Sequence, residues 1–389
     1  MNQQKLWILF FGRLDDEKWF GIILQVLRLF IKNHWGIPFQ FYVFGKGKYE
    51  KELLDLWQAY NSIHFFGRQT LDTIKKYQDN CHFCLMPSTF LETFGLTALN
   101  ALSMWIPVIW FAKWGLTQFI PSKYDISQAK WIDDTEKLYN KLLEIIKSFN
   151  EWKIKTELEK KKALAIAKNF TIEKWYENIE PIIGKPKKIL LVSDFKSKLW
   201  WIETYLYDVA EILTSKWYEV KIYGRDIPWW KIWQYIKYFG LCLAIFNRID
   251  AIKLKKEIRT FMPKIIRFNS TLRWLGRFPI KITKDENIKK LMMYHDLWYF
   301  HPYPSQVTQE DMIQTPLTLG NFIKSANTKN PLKIFAVICK YRSVTLLRKR
   351  LVKTIDLHLV PSQFMENIVS ESYNIPQKKI KTLSHFIQK

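Results

Sequence analysis

The sequence predicts an α/β protein built from two doubly wound domains, and three observations carry that expectation. Short apolar runs alternate with amphipathic stretches of helical length, the rhythm of a parallel sheet with crossover helices. The alternation breaks at Gly184-Lys-Pro186 and then starts again. The length of 389 residues exceeds what one hydrophobic core reaches, about 250 residues, and suits a first domain over 1–184 and a second over 187–389.

The first half opens with an apolar strand at 6–11, passes Gly12-Arg13-Leu14, and enters a helix at 20–32. Strands are expected at 39–44, 63–66, 82–86 and 108–111, and helices at 49–60, 71–78 and 95–102. Two longer helices, at 135–149 and 157–179, close the unit before the Gly-Lys-Pro linker. The second half repeats the grammar with a strand at 189–193, a helix at 202–215 and a strand at 220–223, so both halves are expected to be Rossmann-like. The stretch 231–258 reads as helical, either core-facing or as a surface helix against anionic lipid. Strands at 291–295 and 357–361 and helices near 316–324, 331–347 and 363–373 complete the series, and no short-period repeat interrupts it.

Composition narrows the class. With 48% apolar and 25% charged residues the chain buries real cores, which excludes a disordered or fibrous protein. The formal charge of +24 favours an anionic partner: a nucleotide diphosphate, an acidic membrane face or nucleic acid. Much of that charge is lysine spread through helices, and the basic residues lack the aromatic interleaving of a nucleic-acid surface, so nucleic acid is not expected. The run at 6–11 is short for a signal sequence, and the uncharged stretch 93–112 is interrupted by Asn100, Ser103 and Pro107; a cytoplasmic protein is expected. Four cysteines, two in Cys81-His-Phe-Cys84, are too few for a disulfide framework. The histidines have no metal-ligand spacing, and the lone Cys-x-x-Cys lies on a strand without a second pair, so no metal site is expected.

Glycine and tryptophan counts deviate together. Ordinary usage predicts about 27 glycines, whereas the chain has 13, and its tryptophans number 18. Several of those tryptophans stand where the chain needs a residue without a side chain: Trp105 before Ile-Pro-Val, Trp114 before Gly115, Trp200-Trp201 between strand and helix, and Trp217 after an amphipathic helix. These read as left-handed caps and tight turns, where glycine is favoured. The expectation is that the source reads UGA as glycine and that the written sequence renders it as tryptophan. Trp175, inside a helical run, reads as a real aromatic.

Two clusters carry chemistry. Gly12-Arg13-Leu14-Asp-Asp-Glu-Lys18-Trp19 sets two cations five residues apart at a strand exit, where they can grip a diphosphate. The stretch from Pro87 through Glu92-Thr-Phe94-Gly95-Leu96-Thr97 to Asn100 places a carboxylate before a glycine-initiated helix, whose bare amides suit phosphate and sugar hydroxyls.

These blocks resemble the retaining glycosyltransferases of family 4, which have the GT-B fold. A G-R-L-x3-K-G block matches 12–19, an I-x-F-x-G block 63–67, and a P-S-x3-E-x-F-G-L block 87–96 that runs on to Pro107-Val108. The family places glycine at 19 and 105, and often at 110 and 114, all written tryptophan here. The resemblance implies that Arg13 and Lys18 hold the donor's diphosphate, with Gly12 at the turn. Glu92 would lie beside the transferred sugar, and the amides of Phe94, Gly95, Leu96 and Thr97 would meet phosphate. Asn100 stands where the family has a second glutamate on the donor ribose; an amide can still bond a hydroxyl.

Residues 187–389 resemble the acceptor-binding half of the same family. Lys188 to Ser193 followed by Trp200-Trp201-Ile202-Glu203 is similar to its first strand and Gly-Gly-Ile-Glu turn, where backbone amides approach phosphate. Tyr294-His295-Asp296 matches a strand-end block that would put His295 near the reacting sugar; a structural histidine is the alternative. His385-Phe386 replaces the usual Asn-Gly of the interdomain linker.

The family's order is acceptor half first, so this chain is either circularly permuted or joins fragments of two transferases. The resemblance implies transfer of a sugar from a nucleotide-diphosphate donor to an acceptor hydroxyl of a glycan or lipid-linked glycan, with retention and without a metal or other cofactor. An anionic membrane face is a further expected partner. Two rivals remain: a noncatalytic basic scaffold on a membrane, and a sugar-nucleotide epimerase of the same architecture.

Overall fold

The computed structural model describes residues 5–34, 36–86, 88, 91–110, 113–126, 134–151, 156–185, 187–197, 201–226, 248–272, 275–284, 287–300, 318–325 and 329–387. Its contacts divide the chain into two units, Met1–Lys174 with His385–Lys389, and Trp175–Ser384. Each contains one parallel sheet, so the expected α/β class with two Rossmann-like sheets is the observed one.

In the first unit the strands are β1 (Trp7–Phe11), β2 (Gln40–Phe44), β3 (Ile63–Phe65), β4 (Phe83–Leu85) and β5 (Val108–Ile109), ordered β3-β2-β1-β4-β5. All pairings are parallel, with Trp7 opposite Gln40 and Ile8 opposite Phe83. Near-continuous burial of Ile8 to Phe10 and of Phe41 to Phe44 follows from helices covering both faces. The helices are α1 (Phe20–His34), α2 (Glu50–Ala59), α3 (Leu71–Lys75), α4 (Leu96–Ser103), α5 (Asp134–Asn150) and α6 (Thr156–Ala167); α7 (Ile172–Ile183) begins in this unit and belongs mostly to the second. α1 buries Phe20, Ile23, Leu24, Leu27 and Phe30, the i, i+3, i+4 stripe of a core-facing helix.

The helix expected over 157–179 is two helices. A short 3-10 turn at Lys168–Phe170 ends α6, and Thr171, extended at ψ 164°, accepts the Lys174 amide on its hydroxyl at 3.3 Å and so restarts the helix as α7. A residue with a local side-chain cap outcompetes continuation of the helix there.

The second unit orders its strands β11-β10-β9-β8-β6-β7, again all parallel. They are β6 (Lys188–Phe195), β7 (Glu219–Arg225), β8 (Ile265–Ser270), β9 (Lys289–Met293), β10 (Leu357–Val360) and β11 (Ile380–Thr382). α8 (Trp201–Ser215) follows β6. Of the 231–258 stretch, 231–247 lies outside the described residues; the remainder belongs to helix Arg248–Phe261, which buries Ala251, Leu254 and Ile258 and exposes Ile249 and Ile252. β8 and β11 were not anticipated. Among the described residues no helix is long and apolar enough to cross a membrane.

One buried group makes the first unit acid-sensitive. His82, 6% exposed, accepts the Trp7 amide on Nδ1 at 3.0 Å, and burial lowers its pKa to about 4. The unfolded chain binds this proton near pH 6.5 and the folded chain only near 4. Stability present above pH 6.5 is therefore expected to fall as pH drops through that window. His82→Asn, whose Oδ1 can accept the same amide without titrating, should flatten the pH dependence of the unfolding midpoint.

Candidate active site

In the first unit the chain runs from β1 outward to β2 and β3 on one side and to β4 and β5 on the other. The order of strands reverses between β1 and β4, and a crevice outside the strand carboxyl ends at such a reversal is where open α/β sheets bind ligands. Arg13 and Lys18 follow β1, and Ser88 and Glu92 follow β4.

The loop after β1 is fixed by backbone. The Gly12 amide donates to Phe44 O at 3.0 Å and the Leu14 amide to Lys46 O at 3.0 Å. A Cβ on Gly45 would lie 2.0 Å from Gly12 O, and one on Gly47 2.4 Å from Leu14 O, so the two loops approach as closely as only glycine permits. Asp15 then caps a 3-10 turn, Asp16–Lys18, accepting the Lys18 amide at 3.1 Å. Hydrogen bonds from Lys48 and Tyr49 hold the Asp16 carboxyl below its ordinary range and tie this turn to the start of α2.

Lys18 donates to Glu92 Oε1, an ion pair across 74 residues of sequence, with side-chain exposures of only 14% and 10%. The same oxygen accepts Ser88 Oγ at 2.9 Å, and the Glu92 carbonyl accepts the Gly115 amide at 2.9 Å. Ser88 is a partner that sequence reasoning missed, although it lies four residues before Glu92. Arg13, in contrast, is 56% exposed and pairs with Asp15 at 3.0 Å. Gly95, at φ 95°, opens α4, and a Cβ there would meet Leu116 at 2.5 Å. Phe94 is buried against Phe119, Phe170 and His385. Leu96, Thr97 and Asn100 share the half-exposed face of α4, while Ala98, Leu99, Ala101 and Leu102 are buried. The first unit thus brings Lys18 and Glu92 together and places Arg13 and the α4 amino end on the same carboxyl edge of the sheet. Cys81 and Cys84 are fully buried, and burial pushes their thiols upward, Cys81 to about 12.

His295 belongs to the second unit, just past β9, and is 1% exposed. Its Nε2 lies 3.5 Å from Asn269 Oδ1, and its ring lies 5.3 Å from that of Tyr205. Arg267, two residues before Asn269 on β8, is 2% exposed, with Nη2 3.5 Å from Tyr205 Oη; its Nε and Nη1 meet no acceptor among the described residues. Sequence reasoning missed Arg267 and Asn269, although two polar residues at i, i+2 in the stretch 265–270 are its visible signal. A buried cation with no ion pair among the described residues costs stability. Arg267→Met is accordingly expected to raise the denaturant midpoint of this unit. Trp200 lies outside the described residues, and Trp201 is the first residue of α8. Among the described residues no group of three or more His, Cys, Asp or Glu is placed to hold a metal.

Residues 5–148 match the family model of glycosyl transferases group 1. That stretch is similar in pattern to the glycosyl transferases. It contains Arg13, Lys18, Ser88, Glu92 and Asn100, all the site groups of the first unit. No curated protein matches the chain. Among solved structures it is similar to the pneumococcal O-GlcNAc transferase GtfA in complex with UDP and GlcNAc, at 22% identity and a TM-score of 0.38 over 47% of this chain and 37% of that one. The lipopolysaccharide outer core galactosyltransferase WaaB gives 18% and 0.37 over 47% and 50%. Anabaena Alr3699/HepE in complex with UDP gives 19% and 0.34 over 43% and 44%. The chain spans between about a third and a half of the length of these glycosyl transferases.

Proposed function

We propose that the chain transfers a sugar from a nucleotide-diphosphate donor to an acceptor hydroxyl, as a retaining glycosyltransferase of family 4 type. The observation that carries this reading is the Lys18–Glu92 pair at the reversal point of the first sheet, inside the stretch that matches group 1 glycosyl transferases. Lys18 and Arg13 would meet the negative charge that develops on the departing diphosphate, and the α4 amides would take phosphate oxygens. Glu92, held by Lys18 and Ser88, would orient the sugar rather than attack it, since retention in this family is attributed to attack from the leaving-group face. Fixed cations would take the part that Mg²⁺ plays elsewhere. The halves 1–184 and 187–389 would serve donor and acceptor, with His295 on the acceptor side. The acceptor would be a glycan or lipid-linked glycan at the cytoplasmic face of a membrane. On this reading the tryptophans at the family's glycine positions are glycine in the working enzyme.

The test is a donor screen with UDP-, GDP- and ADP-sugars on the glycine form of the chain, following release of nucleoside diphosphate. The expected result is release with one donor class, undiminished in EDTA, and a product whose anomeric signal in NMR keeps the donor's configuration. An inverted anomer would remove the retaining mechanism, and no release with any donor would remove the transferase reading.

A further inference from the structure

Six described residues other than glycine hold a left-handed backbone, and four are tryptophan: Trp19 at φ 43°, Trp105 at 62°, Trp114 at 56° and Trp217 at 67°. A bulky side chain in this region crowds its Cβ against the neighbouring carbonyl, a strain that glycine does not have. Three of the four close a helical segment with the same pair of bonds. Trp19 N–H donates to Asp16 O at 3.0 Å and Phe20 N–H to Asp15 O at 3.3 Å. Trp105 N–H donates to Leu102 O and Ile106 N–H to Ala101 O, both at 3.0 Å, while Trp217 N–H donates to Thr214 O and Tyr218 N–H to Leu213 O, both at 3.1 Å. This is the Schellman ending, whose left-handed residue is usually glycine and sometimes asparagine. Of the other left-handed residues after helices, Gly184 at φ 71° after α7 and Asn374 at 51° after helix Gln363–Tyr373 follow that preference, and Met262 at 52° after helix Arg248–Phe261 departs from it.

The indoles at the most exposed of these positions add nothing to a core. Trp217 is 88% exposed and Trp105 51%, whereas Trp175, outside the left-handed set, is 3% exposed inside α7. Backbone conformation therefore sets these four apart from Trp175, and exposure does the same at 105 and 217.

We propose that the working protein carries glycine at 19, 105, 114 and 217 and tryptophan at 175, the written sequence having rendered UGA as tryptophan where the source reads glycine. The assignment rests on main-chain bonds and stands without the catalytic reading. It also bears on the site. Residue 19 follows Lys18, and residue 114 precedes Gly115, whose amide holds the Glu92 carbonyl. Without a side chain at either position, plain backbone flanks the Lys18–Glu92 pair on both sides and leaves room for a sugar phosphate. The test is mass spectrometry of peptides spanning the five positions, from the full-length protein purified from its source. Glycine at 19, 105, 114 and 217 with tryptophan at 175 is expected; tryptophan at any of the four, or glycine at 175, overturns the assignment. The measurement reads no activity, so failure of the transferase reading would leave its outcome unchanged.

Discussion

Lys18→Ala, made in the glycine form of the chain, is expected to lower the rate of sugar transfer by about 10² to 10³, the usual loss when one preorganised electrostatic contact to a transition state is removed. The loss should fall on kcat more than on KM, because charge on the diphosphate grows as the glycosidic bond breaks. The substitution also has a structural effect that must be separated from the catalytic one. Glu92 is 7% exposed and would keep Ser88, but no cation seen among the described residues, on its carboxylate. A buried charge that loses its partner costs about 3–5 kcal/mol when fully buried, and somewhat less at the 14% and 10% exposures seen here. Lys18→Ala should therefore lower the unfolding midpoint, and adding Glu92→Gln should restore much of it without restoring transfer. If the double variant regains both, Lys18 acts only by neutralising Glu92. Arg13→Ala should affect transfer without a comparable stability loss, since that guanidinium is more than half exposed and its ion pair with Asp15 lies at the surface, where such pairs contribute little.

The sequence made some of this legible and hid the rest for physical reasons. Strands β1, β2 and β6 could be placed because residues buried on both faces form unbroken apolar runs. β8 escaped because Arg267 and Asn269 break such a run, and those are the residues that approach Tyr205 and His295. The strand expected to reach residue 111 ends at Ile109, with Trp110 forming only an isolated bridge to Asp125. Arg13, Lys18 and Glu92 were visible as types at family spacing, but the contact between Lys18 and Glu92 depends on β1 lying next to β4, which no local pattern encodes. The left-handed turns at 105, 114 and 217 were anticipated from what surrounds them, since a helix ending before an apolar strand needs a residue that can reverse the chain.

Trp217→Gly and Trp105→Gly are expected to stabilise the protein, whereas the same change at Trp175 should be severely destabilising. At 217 and 105 the left-handed backbone costs a non-glycine residue about 1–2 kcal/mol. The indoles lost are 88% and 51% exposed, so little burial is given up, least at 217. Glycine gives back part of the gain through the greater freedom of its unfolded chain, about 0.5–1 kcal/mol. The net gain is then of order 0.5–1 kcal/mol per site, and because the sites lie in different units each should appear in its own transition. At Trp175 the terms reverse. A helix interior disfavours glycine by about 1 kcal/mol, and emptying a site that is 3% exposed adds roughly 3–5 kcal/mol for a lost large aromatic side chain. Denaturant unfolding of the three variants against the written sequence reads all of this. A midpoint that rises at 105 and 217 and collapses at 175 follows from backbone conformation deciding which indoles belong. A fall at 217 would mean that the exposed indole supports the fold through something other than its own turn.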